Sequence, residues 1–515
     1  MYTEQEIVEK VSTSKKAWKA YEKVLFRIAF PFFIIMCIPL TPHWYNHFLH
    51  VDWTNLHVRD LYDIVLIDNK YVDAVEGWWG FGSYINWGIS LLAATVIGLV
   101  WTAIDRKNAE YSFLYKWLRV LVRYRVAIGV IGFSFEKIFP TQMPYPSLSN
   151  LATDFGDFNG HKIFWSSIGI VPWFEVFSGV VELIPGLMLL SRRTATWGSI
   201  LVCAVMLTIV FINLGFNYHP GGIHVYASYF VLLTLFLLVN DLPVVYKLIV
   251  QEKYTLPAIA YPELNSTWLR AVSAGVKVFT VLYFAAFGYL FYINFRFDPY
   301  KQPSTPGVYE LHGYYDVVEF KVNNQSIPYS PLDSVRWRDV TFERWSTLTY
   351  RVNKELIMST AGGKSSSNTG HSSVDLEKAY EVMGVAGGRR AFHYYADTIN
   401  HVIYLQEKKR SVKTKDPYAK DWISPQAWKN IGDDNHKIHP RAWSTRRDRD
   451  FALLDKGLIR DKMVLHYTTQ DGSNVILEGT DENKNAIYIV LKRKEKVQTL
   501  SQSSIKAGYY PYGKE

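Results

Sequence analysis

The sequence predicts a membrane all-α bundle of about seven transmembrane helices followed by a mainly antiparallel β domain, barrel or sandwich, outside the membrane. Three observations predict it. Apolar stretches of spanning length recur up to about Phe295, short alternating runs follow from about Phe297, and Lys and Arg gather in alternate loops. Of the 515 residues 49% are hydrophobic and 20% charged, and the near-zero mean hydropathy averages an apolar half with a polar one.

The first segment, 1–23, is polar and has no small-residue cleavage signature, so it reads as a cytoplasmic lead-in, not a signal peptide. Spans are expected near 24–40, 83–104, 117–139, 167–190, 194–216, 223–240 and 271–295, against roughly 20 residues needed per crossing. Lys15, Lys16, Lys19, Lys23, Arg27, Arg106, Lys107, Lys116, Arg119, Arg192 and Arg193 all fall on one side of such a bundle. The loop 41–82 is acidic and falls on the other side, so the amino terminus is placed in the cytoplasm and the carboxyl terminus outside a cytoplasmic (inner) membrane. Trp78, Trp79, Trp165, Trp173 and Tyr218 fit interfacial anchors. The resulting organisation is 24–116 for the first two spans, 117–240 for a four-helix unit, 241–295 for an inner loop and last span, and 296–515 for the outer domain.

In that outer domain, strands are expected at Val317–Val322, Leu348–Val352, Val402–Leu405, Met463–Tyr467, Asn474–Leu477 and Ala486–Leu491, with a hairpin turn at Asp471-Gly472. AGGKSSSNTGHSS reads as a loop, Leu376–Met383 as a short helix, and FDPYKQPSTPG as the tether to the last span. The net charge of +9 is absorbed by orientation-setting loops and gives no reason to expect nucleic acid. The two cysteines, Cys37 and Cys203, lie in apolar segments with neither CxxC nor metal-type spacing.

Ionisable groups within spans cost roughly 2.5–3.5 kcal/mol each and therefore point to pairing or function. Glu175 and Glu182 are seven residues apart and share one helical face, with Glu182 near the midplane. Gly179, Pro185 and Gly186 on the same span allow close approach or a local break. The third span enters with Arg123 and Arg125 and leaves with Glu136 and Lys137, supplying partners for both glutamates. Asn213, His219 and His224 fall in the same outer half, so these groups are expected to converge on one polar pocket. The blander readings are that the basic groups and Glu136 snorkel to an interface and that the histidines are exposed loop residues; two histidines without a third ligand are weak evidence for a metal site.

Residues 117–240 resemble the DoxX family of small four-helix membrane proteins. The resemblance rests on Arg125 with Gly129, on Glu136-Lys137, on Glu175, Gly179, Glu182 and Gly186, on the Ser191-Arg192-Arg193-Thr194 turn, and on Asn213. It implies a membrane subunit of a quinone-linked or redox-related complex. Glu182 or Glu175 would exchange protons there, Lys137 or His219 would hydrogen-bond a ring oxygen, and Arg125, Glu136, Asn213 and His224 would line the pocket. The sequence carries no CxxCH, no GxGxxG loop and no iron–sulfur cysteine set, so electrons would come from a partner or a diffusible carrier. Two other readings stand beside this one: a non-enzymatic anchor for an envelope protein complex, and, from architecture alone, a lipid-associated enzyme of the vitamin-K-dependent carboxylase type.

Overall fold

The computed structural model describes residues 18–67, 69–72, 83–106, 108, 110–216, 223–255, 262, 266–298, 301–354, 375–376, 378–443 and 459–495. His219 lies outside them, as do Trp78, Trp79, Asn217, Tyr218 and the Gly/Ser-rich stretch 361–373.

The chain begins with α1 (Ala20–Cys37) and α2 (Pro42–His50), which meet at a bend of 41°. Then come α3 (Val58–Val65), α4 (Tyr84–Ile104), the 27-residue α5 (Ser112–Ile138), the short α6 (Leu148–Leu151), α7 (Gly160–Gly169), α8 (Pro172–Leu190) and α9 (Ala195–Gly215). The helical part closes with α10 (Ile223–Leu238), bent by 69° from α11 (Leu242–Ile249), and the 31-residue α12 (Thr267–Phe297). Among the described residues four helices, α4, α8, α9 and α12, are long and apolar enough to cross a membrane, or six if each bent pair is one span. The sequence suggested about seven. α5 is the difference: six charged side chains, from Lys116 to Lys137, lie along it.

α8 shows which solvent these helices suit. Its buried face holds Glu175, Gly179, Glu182 and Gly186, while Trp173, Phe174, Phe177, Ile184 and Leu187 point outward and are about half exposed. Apolar side chains outside and carboxylates inside would be an inverted helix in water, and it is the arrangement hydrocarbon requires. Gly179 and Gly186 face α5 directly. A β-carbon on Gly179 would lie 2.6 Å from the Ile138 backbone nitrogen, and one on Gly186 2.8 Å from Ile131 Cγ1. Close approach is therefore what these glycines provide; α8 runs unbroken through Pro185, and the break expected in that span falls instead at Ile170–Val171, ahead of Pro172 at the first helical position.

Beyond α12 the chain forms β1 (Gly313–Val322), β2 (Gln325–Ser326), β3 (Asp339–Phe342), β4 (Thr347–Arg351), β5 (Arg389–Asp397) and β6 (Val402–Glu407). Two short helices, α13 (Pro425–Ile431) and α14 (Asp434–Lys437), precede β7 (Lys462–Thr468), β8 (Asn474–Thr480) and β9 (Ala486–Arg493). Every pairing is antiparallel, and β9 returns to β1, so eight strands close a barrel while β2 is a two-residue flap on β1. Closure leaves no open edge. Asn323 and Asn324, both at positive φ, make the two-residue turn into β2, and Gly472 at φ +76° sits in the hairpin turn expected from Asp471-Gly472. Tyr315, Phe342, Leu348, Phe392, Leu405 and Leu477 fill the interior.

One expectation needs correction. The described residues of Leu376–Met383 form no helix: 378–379 are irregular and 380–383 form turns, because their side chains are drawn apart, Lys378 to Asp375, Glu381 to Lys408, and the Tyr380 hydroxyl to the Pro144 carbonyl. The link after α12, expected as a tether, is packed in place. Lys301, Gln302 and Thr305 are buried, and Asp375 accepts the backbone N–H groups of Ser304 and Thr305 at 2.9 and 2.7 Å.

The segment 140–169 joins barrel to bundle. Glu343 accepts the N–H groups of Leu148 and Ser149 at 2.9 and 2.8 Å, and Arg351 reaches Asp154 at 2.9 Å. Asn159 donates its N–H to the Gly384 carbonyl and Ala386 donates to that of Asp157. The barrel therefore sits at the end of the bundle where α5 finishes and α8 begins.

Candidate functional site

α5 and α8 run antiparallel, with Gly179 against Ser134 and Ile138 and Gly186 against Val130 and Ile131. This register brings the one-face positions of α8, spaced by four and three residues, against the last turns of α5. Lys137 Nζ lies 2.8 Å from Glu182 Oε1 and 2.9 Å from Oε2, and Glu182 is 3% exposed. Each charge is answered by the other, which is what makes both tolerable in an apolar bundle.

Glu175, about two turns nearer the barrel, is 0% exposed. Its Oε1 accepts the N–H groups of Gln142 and Met143 at 3.1 and 3.0 Å, from the turn that follows α5. Its Oε2 has no hydrogen-bond partner among the described residues. Lys137 and Lys301 both act on the Glu175 carboxylate electrostatically. Lys301 donates to the Gln142 carbonyl, and its ammonium lies 3.5 Å from the centroid of the Trp165 ring, on whose other neighbour, His161, the indole packs at 4.8 Å. The result is a buried acidic group with one oxygen hydrogen-bonded and the other without a hydrogen-bond partner among the described residues, in the field of a lysine from the strap between α12 and the barrel.

The remaining candidates disperse. Arg125 is buried at the middle of α5, where it donates to the hydroxyls of Tyr229 and Tyr226 at 3.0 and 2.8 Å and to the Val65 carbonyl at 3.3 Å. It partners neither glutamate, because it lies twelve residues before Lys137, about three helical turns deeper. Arg123 is buried beside it in sequence, with its guanidinium over the Tyr124 ring. Glu136, adjacent in sequence to Lys137, is buried elsewhere and its charge acts on the Tyr62 hydroxyl. Asn213 donates back to the Ile209 carbonyl of its own helix, and His224 is buried in the first turn of α10. Among the described residues no group of three or more His, Cys, Asp or Glu side chains is placed to hold a metal ion.

The structure thus brings Lys137, Glu182 and Glu175 together and leaves Arg125, Glu136, Asn213 and His224 in surroundings of their own. Lys301, Trp165 and the Gln142–Met143 amides complete the cluster, and sequence reasoning did not single them out as such. Lys301 had a usable signal, a lysine four residues past the end of the last span, but nothing in its spacing tells which helix end it folds back upon. Compared with known protein families, curated sequences and solved structures, the chain matches none.

Proposed function

We propose that this chain is a DoxX-like membrane subunit of a quinone-linked redox complex, lying in the cytoplasmic membrane with its barrel outside and available to a partner protein. The observation that carries this reading is the open oxygen of Glu175 beside the Lys137–Glu182 pair. A buried carboxyl with one oxygen fixed by backbone amides and the other unfilled is oriented to give and take a proton, as reduction of a ring carbonyl to a hydroxyl requires. Lys137, held by Glu182, fixes the charge next to it. Lys19, Lys23, Arg27, Lys116, Arg119, Arg192 and Arg193 lie at or near helix ends remote from the barrel, which supports placing those ends in the cytoplasm.

The test is to extract the full chain from its native membranes and measure bound quinone, with total lipid as the background. Wild type is expected to retain quinone near one per chain, and Glu175→Gln to retain much less. Quinone at background in both would end the reading. Recovery of an envelope protein alone would favour the second reading, an anchor that presents the barrel to a partner. The buried contacts of the 140–169 segment support that second reading, since they hold the barrel to the bundle as one unit.

A further inference from the structure

Most buried cations near the junction of barrel and bundle have a carboxylate. Lys408 donates to both oxygens of Glu381 at 2.9 and 3.0 Å, Lys378 lies 3.5 Å from Asp375, and Arg351 bridges Asp339 and Asp154 at 2.9 Å each. Lys162, on α7, is the exception that matters. It is 2% exposed, its Nζ donates to the Tyr380 carbonyl at 2.9 Å and lies 4.0 Å from the Tyr380 ring centroid, and no carboxylate is within ion-pair distance among the described residues. A carbonyl and a π face both favour an ammonium ion over an amine, but without a carboxylate in contact they do not offset the full cost of burying the charge.

The place of Lys162 gives that cost a consequence. Residues 378–388 are the part of the barrel domain gripped by the bundle: Asn159 N–H to the Gly384 carbonyl at 3.0 Å, Ala386 N–H to the Asp157 carbonyl at 2.7 Å, and the Asn150 side chain to the Glu381 carbonyl. Tyr380 and Gly384 both touch Lys162, the latter so closely that a β-carbon there would meet Lys162 Cβ at 2.9 Å. A change at the amine is thus felt by the gripped segment itself.

We propose that Lys162 is a pH-sensitive latch: the barrel is held on the bundle by the form in which this amine is neutral, and protonation loosens the grip on residues 378–388.

Burial pushes the Lys162 amine down to about 7, against the attraction of Glu381 and Glu343. Once the junction opens, the amine is solvated and returns to about 10.4. Between those limits the docked form binds fewer protons than the open one, so docking strengthens as pH rises; below about 7 both forms are protonated and the dependence fades. Linkage gives about a fiftyfold gain in docking between pH 7 and 9, and only about twofold between pH 6 and 7. Among the described residues the other ionisable groups around Lys162 are Tyr380, whose ring it touches, His161 on α7, Lys301 on the strap, Glu343 after β3, Glu381 and Lys378 on the gripped segment with Asp375 just before it, and Lys408 after β6. Burial, aided by Lys301 and Lys162, pushes His161 down to about 3, so it is neutral throughout the window. Burial also raises Glu343 and lowers Lys408, which is why Lys162 variants, and not the wild type alone, decide the matter.

The experiment is hydrogen exchange on the full chain in lipid nanodiscs, following peptides that contain Asn159 and Ala386. Protection is expressed relative to the unstructured rate at each pH. In wild type it is expected to rise about fiftyfold from pH 7 to 9. Lys162→Met is expected to be flat and high across that range, and Lys162→Arg flat and low. Either variant suffices should the other fail to fold. A flat wild type, or a variant that keeps the wild-type slope, overturns the proposal.

Discussion

Adding one methyl group at Gly179 should do more damage than its size suggests, and the structure says how much more than at two other glycines. The new β-carbon would lie 2.6 Å from the Ile138 nitrogen and 2.9 Å from the Ser134 oxygen, both backbone atoms that no rotamer change can move. Ordinary contact begins near 3.4 Å, so α8 must retreat from α5 by about 0.8 Å. Overpacking of this kind costs about 1–3 kcal/mol. At Gly186 the nearest atom is Ile131 Cγ1 at 2.8 Å, a side chain that can yield, so Gly186→Ala should cost less. At Gly275 on α12 nothing lies within 4 Å, and alanine there should be neutral or gain up to about 1 kcal/mol from its helix preference. Unfolding midpoints of the three purified variants in one detergent give the order, Gly275→Ala highest and Gly179→Ala lowest. Because Gly179 lies between Glu175 and Glu182, the retreat should also weaken any property that depends on the Lys137–Glu182 contact. A Gly179→Ala protein as stable as wild type would refute the register of α5 on α8, and with it the site.

Three further outcomes follow from individual contacts. Lys137→Met or Glu182→Leu, each leaving one charge buried without its answer, is expected to cost about 3–5 kcal/mol, whereas the two together should fall within about 1 kcal/mol of wild type; the double-mutant cycle built from these three variants, read on unfolding midpoints, gives the coupling. Burial by itself would raise Asp375, but Lys378 and the hydrogen bonds from Thr305 and Ser304 outweigh it and hold this carboxyl well below its usual range. Its stabilisation is therefore present above the ordinary carboxylate range and is lost as pH falls below that range, so Asp375→Asn should flatten the acid limb of the barrel's unfolding curve, followed by tryptophan fluorescence, and cost about 1–3 kcal/mol at neutral pH. Arg351→Met should release the turn at Asp154–Asp157 to limited proteolysis while the barrel stays folded, because Arg389 still pairs with Asp339 at 2.9 Å.

How much of this was legible depended on whether a residue's partner lay close by in the chain. Each strand anticipated between Val317 and Leu491 is present, since alternation is a local property and the barrel interior rewards it. β3 and β5 escaped notice because their patterns are unlike a half-wet strand: Asp339 through Phe342 are buried on both faces, and β5 begins with Arg389 and Arg390. Those charges are affordable only because Asp339, Glu407, Asp461 and Glu482 arrive from elsewhere in the chain to meet them. The helices divide in the same way. The apolar α4 and α9 and the mostly apolar α12 were plain, while the end of α1 at Cys37 and the separation of α7 from α8 depend on contacts with residues distant in the chain, Asn69 with Leu40 and Gly169 with Met143 and Pro144.

The site obeys the same distinction, and this bears on how a membrane carboxylate should be judged. Seven-residue spacing correctly put Glu175 and Glu182 on one face, yet the two have opposite circumstances. Glu182 is matched by Lys137, and a matched buried pair is weak grounds for inferring chemistry, because mutual neutralisation explains both residues. Glu175 is anchored by the backbone of a turn that the sequence presents only as Thr141-Gln142-Met143, and its second oxygen has no partner among the described residues. Depth in the span made Glu182 the stronger candidate by sequence; incomplete satisfaction makes Glu175 the stronger one by structure. A cost that the fold has not offset is the better mark of a working group than a cost merely incurred, so variants at Glu175 should change ligand retention more than assembly, and variants at Glu182 the reverse.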